Sequence, residues 1–149
     1  MKFEFRESEK SIIGKIAKAV EHLGLPTYVV GGFVRDRILG RECNDIDVVC
    51  VGSGLKLAKS VAELLRPQPK VNYFKRFGTA MFKYKNLEVE FVGARKESYN
   101  AYSRKPAVEG GTLEDDQNRR DFTINTLAVD LNHNSFGDVL DPFGGLQDL

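Results

Sequence analysis

Two carboxylates close together in the sequence are the residues best suited to chemistry. Asp45 and Asp47 begin the run DIDVVCV (Asp45 to Val51), whose apolar continuation predicts a buried strand. Residues two apart share one face of a strand, with Cα atoms about 6.6 Å apart, so both carboxylates can bind one Mg²⁺ or bridge two ions. Without a cation or a proton between them, their repulsion would cost stability. The alternative is that Asp-x-Asp forms a solvated turn.

A glycine pair precedes these carboxylates. Gly31 and Gly32 lie between a predicted strand, Thr27 to Val30, and a predicted helix that ends at Gly40. Glycine permits a tight turn and a close approach of backbone to ligand. At a helix N-terminus, free backbone N–H groups and the positive end of the helix dipole favour an anion such as phosphate, to which Arg35 can add a charge-assisted contact. The alternative is that the glycines serve packing or turn geometry alone.

Together the two features predict a site that places a triphosphate against a divalent cation, as phosphoryl or nucleotidyl transfer requires. The segment Gly31 to Asp36 (GGFVRD), followed by Asp45 to Asp47 (DID), resembles the signature of class II template-independent nucleotidyltransferases. These are the CCA-adding tRNA nucleotidyltransferases and the bacterial poly(A) polymerases. A second segment, Arg119 to Asn125 (RRDFTIN), resembles the ribose- and triphosphate-contacting motif of that family. The resemblance runs from about Tyr28 to Leu149.

The resemblance implies a fold and an activity. The expected fold is α/β (α+β), of the nucleotidyltransferase or polymerase-beta-like type, with a small mixed or antiparallel sheet and helices packed on its faces. The implied activity is transfer of CMP and AMP from CTP and ATP to the 3′ end of tRNA by two Mg²⁺ ions. Residues 1–149 would form the catalytic head domain, without neck, body and tail domains and therefore weakly active or inactive alone. A poly(A) polymerase head is the first alternative.

The resemblance also implies site residues. Two carboxylates would hold the two Mg²⁺ ions, namely Asp45 and Asp47. Six residues would contact the triphosphate or the ribose of the nucleotide: Gly31, Gly32, Arg35, Arg120, Asp121 and Asn125. Glu90, on a predicted strand from Leu87 to Val92, is a candidate third carboxylate, because neighbouring strands of one sheet could bring it close to the pair. The alternative for Glu90 is a solvated charge on a half-exposed strand.

The remaining elements form the scaffold for this site. A helix capped by Ser8 or Ser11 and a second from Leu55 to Leu65 show apolar residues at helical spacing. Strands are predicted for 71–74, 79–84 and 87–92, with a hairpin turn between the last two, and for 129–131 and 136–140. The polar stretch 93–118 is predicted to be a mobile segment that closes over the site.

Composition limits the function classes. The 149 residues suffice for one globular domain, with 42% hydrophobic residues. The net charge of +1 argues against bulk attraction of nucleic acid, although residues 66–105 contain ten basic and three acidic side chains, which could face a polyanion or simply be solvated. The presence of only two cysteines favours a reducing compartment, and the charged N-terminus is not typical of a signal peptide, so a cytoplasmic location is expected. No run of residues is apolar enough to span a membrane. A non-catalytic nucleotide- or RNA-binding module is the rival class, and the oligomeric state stays open.

Overall fold

The computed structural model describes residues 2–93 and 127–140, and the fold is given for these residues. They contain three helices: α1 (Glu7–Leu23), α2 (Gly32–Ile38) and α3 (Gly54–Leu64). They also contain seven strands: β1 (Thr27–Val30), β2 (Asp45–Cys50), β3 (Asn72–Phe74), β4 (Thr79–Tyr84), β5 (Leu87–Gly93), β6 (Ala128–Asp130) and β7 (Val139–Leu140). The predicted helices and strands of this part of the chain are therefore confirmed, with shifts of one to three residues at their ends.

The seven strands form one mixed sheet in the order β3-β4-β5-β2-β1-β6-β7. All neighbouring strands are antiparallel except β2 and β5, which run parallel in the middle of the sheet. Parallel strands need a long connection. Here α3, β3 and β4 supply it, and β4 returns to β5 through a tight hairpin at Lys85 (φ 55°). The sheet, predicted to be mixed or antiparallel, is thus mixed, with its single parallel pair at the centre.

The helices form because their apolar residues recur at helical spacing and pack on the sheet. The stripe of α1 buries Ile12, Ile13, Ile16, Ala19 and Val20, and that of α3 buries Leu57, Ala58, Val61 and Ala62. Helix α1 ends at Gly24, whose φ of 67° suits glycine and whose N–H donates to the Val20 carbonyl at 2.8 Å. None of the helices in residues 2–93 and 127–140 is long and apolar enough to cross a bilayer.

The start of α1 differs from the prediction. A cap at Ser8 or Ser11 is wrong, because the N-cap is Arg6 and both serines lie inside the helix. The backbone N–H of Arg6 donates to the Glu9 carboxylate at 2.8 Å. A glutamate three residues after the N-cap satisfies this otherwise free donor, as in a capping box. The acid at position 9 therefore fixes where α1 begins.

The two faces of the sheet carry different residues. On one face, Ile46, Val48 and Cys50 of β2 join the main core together with buried residues of α1, α2 and α3. On the other face lie Asp45, Asp47 and Val49, because side chains alternate along a strand. Val49 there belongs to a smaller apolar cluster with Val30 and Ala128. In the described residues, all three helices cover the face opposite the carboxylates.

Candidate active site

Strand β2 supplies the two predicted metal-binding carboxylates. Asp45 is exposed and Asp47 is half-buried, whereas the intervening Ile46 is fully buried beneath the helices. Burial of Ile46 fixes the register of β2, since a shift by one residue would move every side chain to the other face. The sheet core therefore forces both carboxylates onto the face that the described helices leave uncovered.

The pairing of β1 with β2 brings the glycine turn to the carboxylates. Val30, the last residue of β1, lies directly opposite Asp47. The next residue, Gly31, is the N-cap of α2 and has φ 80° and ψ −150°, a conformation that essentially only glycine adopts. The chain therefore turns into α2 beside Asp47. The sequence-predicted juxtaposition of Gly-Gly turn and dicarboxylate strand is present in the structure.

Arg35 lies over the first turn of α2. A Cβ atom built on Gly32 would lie 3.3 Å from Nη2 of Arg35, so the guanidinium folds back toward the glycine pair. Its Nε donates to Oδ1 of the neighbouring Asp36 at 3.2 Å, and the Arg35 side chain is 29% exposed. Cationic charge is thus held at the turn and partly open to solvent. This placement agrees with the predicted contact to an anion.

Arg37 holds α2 in place, and the sequence analysis missed it. Its guanidinium is 10% exposed and forms an ion pair with Glu9 of α1, which is 3% exposed. Nη2 of Arg37 also donates to the Glu4 carbonyl at 3.2 Å, and the guanidinium carbon lies 5.5 Å from the Phe33 ring centroid. The sequence does hold one signal for this ion pair, which is Glu9. A glutamate three residues after an N-cap is typical of a capping box, so a structural role for Glu9 could have been expected.

Strand β5 adds two more carboxylates to the same face. Glu90 lies directly opposite Asp47, and Glu88 lies directly opposite Asp45, in the parallel pair β2–β5. Paired residues on neighbouring strands are about 4.8 Å apart and share a face. The prediction that Glu90 lies on a strand neighbouring the dicarboxylate strand is confirmed. In residues 2–93 and 127–140, however, no three His, Cys, Asp or Glu side chains converge closely enough to form a metal site.

The acidic character of this face is visible in the pKa of a nearby thiol. Partial burial raises the pKa of Cys43, and a hydrogen bond with the backbone of Asp45 lowers it. The negative charges of Asp36, Asp45 and Asp47 then raise that pKa further, because they oppose a thiolate. The carboxylates therefore create a negative potential that would attract a cation.

The carboxylate pair fits a hard divalent cation. Mg²⁺ prefers oxygen ligands, keeps several waters, and is usually bound by one or two carboxylates together with substrate phosphates. Asp45 and Asp47 offer two carboxylates on one face of the sheet, called the carboxylate face, next to a turn suited to phosphate. The three other predicted nucleotide-binding residues, Arg120, Asp121 and Asn125, lie outside the described residues, as do residues 94–118 of the segment predicted to be mobile. The first residue of that segment, Gly93, is instead the last residue of β5.

The fold and this site define a class of protein. A mixed sheet of this kind is found in a solved structure described as a tRNA-processing enzyme in its apo form, with a TM-score of 0.86 and 37% identity over 99% of this chain and 36% of that one. A tRNA nucleotidyltransferase solved with a primer tRNA and an incoming ATP analogue matches with a TM-score of 0.77 and 41% identity, over 89% of this chain and 36% of that one. The chain therefore has the nucleotidyltransferase fold.

The family follows from the sequence match. Residues 27–149 match the model of the poly A polymerase head domain, and the chain belongs to this family. An A-adding tRNA nucleotidyltransferase of Aquifex aeolicus is 45% identical over 125 residues, which are 84% of this chain and 15% of that protein. The chain thus spans about a sixth of that relative and about a third of the two solved structures. Nucleotidyltransferases generally use divalent metal ions.

Proposed function

We propose that this chain is the catalytic head of an enzyme that transfers CMP and AMP from CTP and ATP to the 3′ end of tRNA without a template. The observation that carries the proposal is the pairing of Val30 with Asp47, which places the Gly31-Gly32 turn beside the Asp45–Asp47 pair. A triphosphate on the turn would meet a cation on the carboxylates. Membership of the head-domain family and a relative named as an A-adding tRNA nucleotidyltransferase support it.

Mg²⁺ is the proposed cation, and Asp45 and Asp47 would hold two such ions. When bound, these ions would activate the primer hydroxyl and neutralise charge on the departing pyrophosphate. The backbone of Gly31 and Gly32 and the Arg35 guanidinium would orient the triphosphate. Arg120 would assist them, and Asp121 and Asn125 would bind the ribose, as the family motif implies. No covalent intermediate with the protein is needed.

Glu90 is proposed as the group that accepts the proton of the primer hydroxyl. Its position opposite Asp47 supports this role, because the carboxylate shares the face on which the hydroxyl would be activated. Glu90→Gln should then lower the rate of transfer while leaving Mg²⁺ affinity unchanged, and a parallel loss of metal affinity would assign Glu90 to the metal instead.

A poly(A) polymerase is the second candidate, favoured by the name of the matching family. Both enzymes would share the described site, so the RNA substrate must decide. The full-length gene product should be incubated with Mg²⁺ and labelled CTP or ATP, on tRNA lacking its 3′-terminal CCA and on an unstructured RNA. Addition of a few residues to tRNA alone supports the proposal. Long A tracts on either RNA support the polymerase, and AMP addition without CMP would place this chain with the A-adding relatives.

The rival class is a non-catalytic module that binds nucleotides or RNA. Two carboxylates side by side on one face of a strand cost stability unless a cation is bound, so a pure binding module would have little reason to keep them. Asp45→Asn is the control in the assay above, because it keeps the side-chain volume and removes one metal-binding charge. Equal, metal-independent RNA binding by both proteins, without transfer in either, would support the non-catalytic class.

Two further proposals concern the whole protein. Because the chain spans 15–36% of the relatives and structures described above, we propose that other domains supply the tRNA grip and that the isolated 149 residues are weakly active or inactive. We also propose a cytoplasmic location. Both cysteines, Cys43 and Cys50, are free thiols, which agrees with a reducing compartment.

A further inference from the structure

The edge of the sheet at β3 carries exposed aromatic and basic side chains that the proposed chemistry does not use. Phe74 is 46% exposed and Tyr73 is 43% exposed, although large aromatic side chains are usually buried. All six basic residues between positions 66 and 85 are exposed, and no acidic residue occurs in that range: Arg66, Lys70, Lys75, Arg76, Lys83 and Lys85. The patch is therefore both apolar and strongly positive.

The register of the sheet shows which of these side chains face the carboxylates. Asp47, Glu90, Met81 and Asn72 are paired in succession across β2, β5, β4 and β3. Because paired residues share a face, Phe74, two residues after Asn72, also lies on the carboxylate face, and Tyr73 lies on the helix-covered face. Phe74 is about 16 Å from Asp47, from three strand spacings and two residue rises.

Basic side chains also lie on or beside this face. Lys83 of β4 is opposite Glu88, which is itself opposite Asp45, so Lys83 is exposed on the carboxylate face. Lys75 and Arg76 follow Phe74 directly in a short 3-10 turn and are also exposed. Lys83 lies on the Asp45 side of the pair and Phe74 on the Val49 side, so a polyanion bound at the carboxylates meets a cation on one side and an aromatic side chain followed by two cations on the other.

We infer that Phe74, with Lys75, Arg76 and Lys83, forms a contact surface for the single-stranded primer RNA just upstream of its 3′ end. Exposed aromatic side chains stack on bases of any sequence, and flanking cations contact the phosphates. The inference rests on the proposed function, since it needs an RNA 3′ end at Asp45 and Asp47. Lysines at an edge strand also discourage aggregation, but an exposed Phe74 would promote it, so that role alone does not explain the patch.

The experiment compares two aromatic residues of one strand. In the full-length gene product, Phe74→Ala should raise the KM for tRNA primer and the Kd for its single-stranded 3′-terminal RNA at least about fivefold, since stacking on one base contributes that much or more. The KM for CTP and ATP should not change. Phe74→Tyr should restore primer affinity. Tyr73→Ala, equally exposed on the other face, is the matched control and should keep wild-type affinity.

The charges are tested by salt dependence. Lys83→Gln should reduce the slope of log Kd for the RNA against log salt concentration by about 0.7, as expected for one lost phosphate contact to a single strand. Lys59→Gln, on the exposed side of α3, is the matched control and should leave the slope unchanged. An equal reduction in both variants would show that only total charge matters and would overturn the inference.

The outcomes separate this inference from the proposed function. If Phe74→Ala keeps wild-type affinity for RNA while Asp45→Asn abolishes transfer, the surface is wrong and the function stands. If the wild-type protein transfers no nucleotide, the function fails. In a third outcome, Phe74→Ala keeps normal RNA affinity, but this domain unfolds separately from the rest of the full-length protein. That result would assign the edge to protein docking and overturn the inference.

Discussion

The same strands give the two faces of the sheet different properties: one face is apolar and buried, and the other carries carboxylates. On the helix-covered face, Ile46, Val48 and Cys50 are buried in the main core. On the carboxylate face, Asp45 and Asp47 come from the same six-residue strand and are exposed or half-buried. One face therefore provides the free energy of folding, and the other can accept an unfavourable charge arrangement because the first stabilises it. Stability and chemistry are separated by the alternation of side chains.

Charge pairing differs between the faces as well. Glu9 and Arg37, on the helix side, are opposite charges buried together. Asp45 and Asp47, on the carboxylate face, are like charges placed next to one another, with Glu88 and Glu90 opposite them. A buried pair is costly to break, whereas crowded carboxylates are costly to keep without a cation. Substitutions on the two faces should therefore have opposite effects on stability and activity.

The largest effect is expected at the carboxylates. Asp45→Ala or Asp47→Ala should lower the transfer rate by about 10³-fold or more, because a metal ligand is lost. At low Mg²⁺ the Tm should stay constant or rise, because the repulsion between the two carboxylates is removed. Single-turnover transfer and thermal unfolding of the full-length gene product measure both. Near-native turnover in both variants would exclude the two-metal assignment.

The next effect concerns the buried ion pair. Arg37→Ala should lower the free energy of unfolding by about 3–5 kcal/mol, because Glu9 would keep an unpaired charge in the core. Arg35→Ala, at a partly exposed ion pair in the same helix, should cost less than about 1 kcal/mol while weakening triphosphate binding. Denaturant unfolding and nucleotide titration compare the two arginines. Equal losses of stability would mean that α2 is not held by Arg37.

A smaller loss of stability is expected for a substitution on the apolar side of β2. Ile46→Ala should lower the free energy of unfolding by about 2–5 kcal/mol, because it leaves a cavity beneath fully packed helices. The transfer rate per folded molecule should change little, in contrast to Asp47→Ala one residue away. Chemical denaturation and active-site-normalised kinetics test the pair. A rate loss like that of Asp47→Ala would show that the faces are not separable.

Alkaline pH should weaken the helix-covered face through Cys50. Burial raises the pKa of this thiol from 9.0 to about 12. Above pH 9 the unfolded chain loses a proton that the folded protein keeps, so the free energy of unfolding should decrease by about 1.4 kcal/mol per pH unit. Below pH 9 the thiol has no effect. Cys50→Ala should show a shallower decrease between pH 9 and 10.5 than the wild type, and identical slopes would contradict the burial of the thiol.

The smallest expected difference is between CTP and ATP. Within the described residues, the carboxylate face presents carboxylates, a glycine turn and Arg35. All of these suit binding of the metal and the triphosphate and not of the base. Base discrimination needs buried polar groups that stay unpaired with the wrong nucleotide. The 149-residue chain should therefore bind both nucleotides with affinities within tenfold, or about 1.4 kcal/mol. Calorimetric titration with Mg²⁺ measures this, and a larger preference would mean that the head reads bases itself.

Local sequence patterns predicted most of this architecture but not the pairings between residues that are distant in the sequence. The alternation in β2 placed Asp45 and Asp47 on one face, and the β4–β5 hairpin followed from two apolar runs around a short turn. The ion pair of Glu9 with Arg37 joins residues 28 positions apart, and no local period marks it. The parallel pairing that sets Glu90 opposite Asp47 likewise depends on packing of the whole sheet. The aromatic edge at Phe74 followed from exposure, which sequence alone does not provide.

The strict alternation in β2 also limits how this family can evolve. Substitutions at Ile46 or Val48 change packing by degrees and can be compensated by neighbouring side chains. Insertion or deletion of one residue between Asp45 and Asp47 has no such gradual path, because it would turn one carboxylate into the core. Length variation among functional descendants should therefore accumulate in connections between strands and be absent from this six-residue segment, so its length is a more durable marker of descent than its composition.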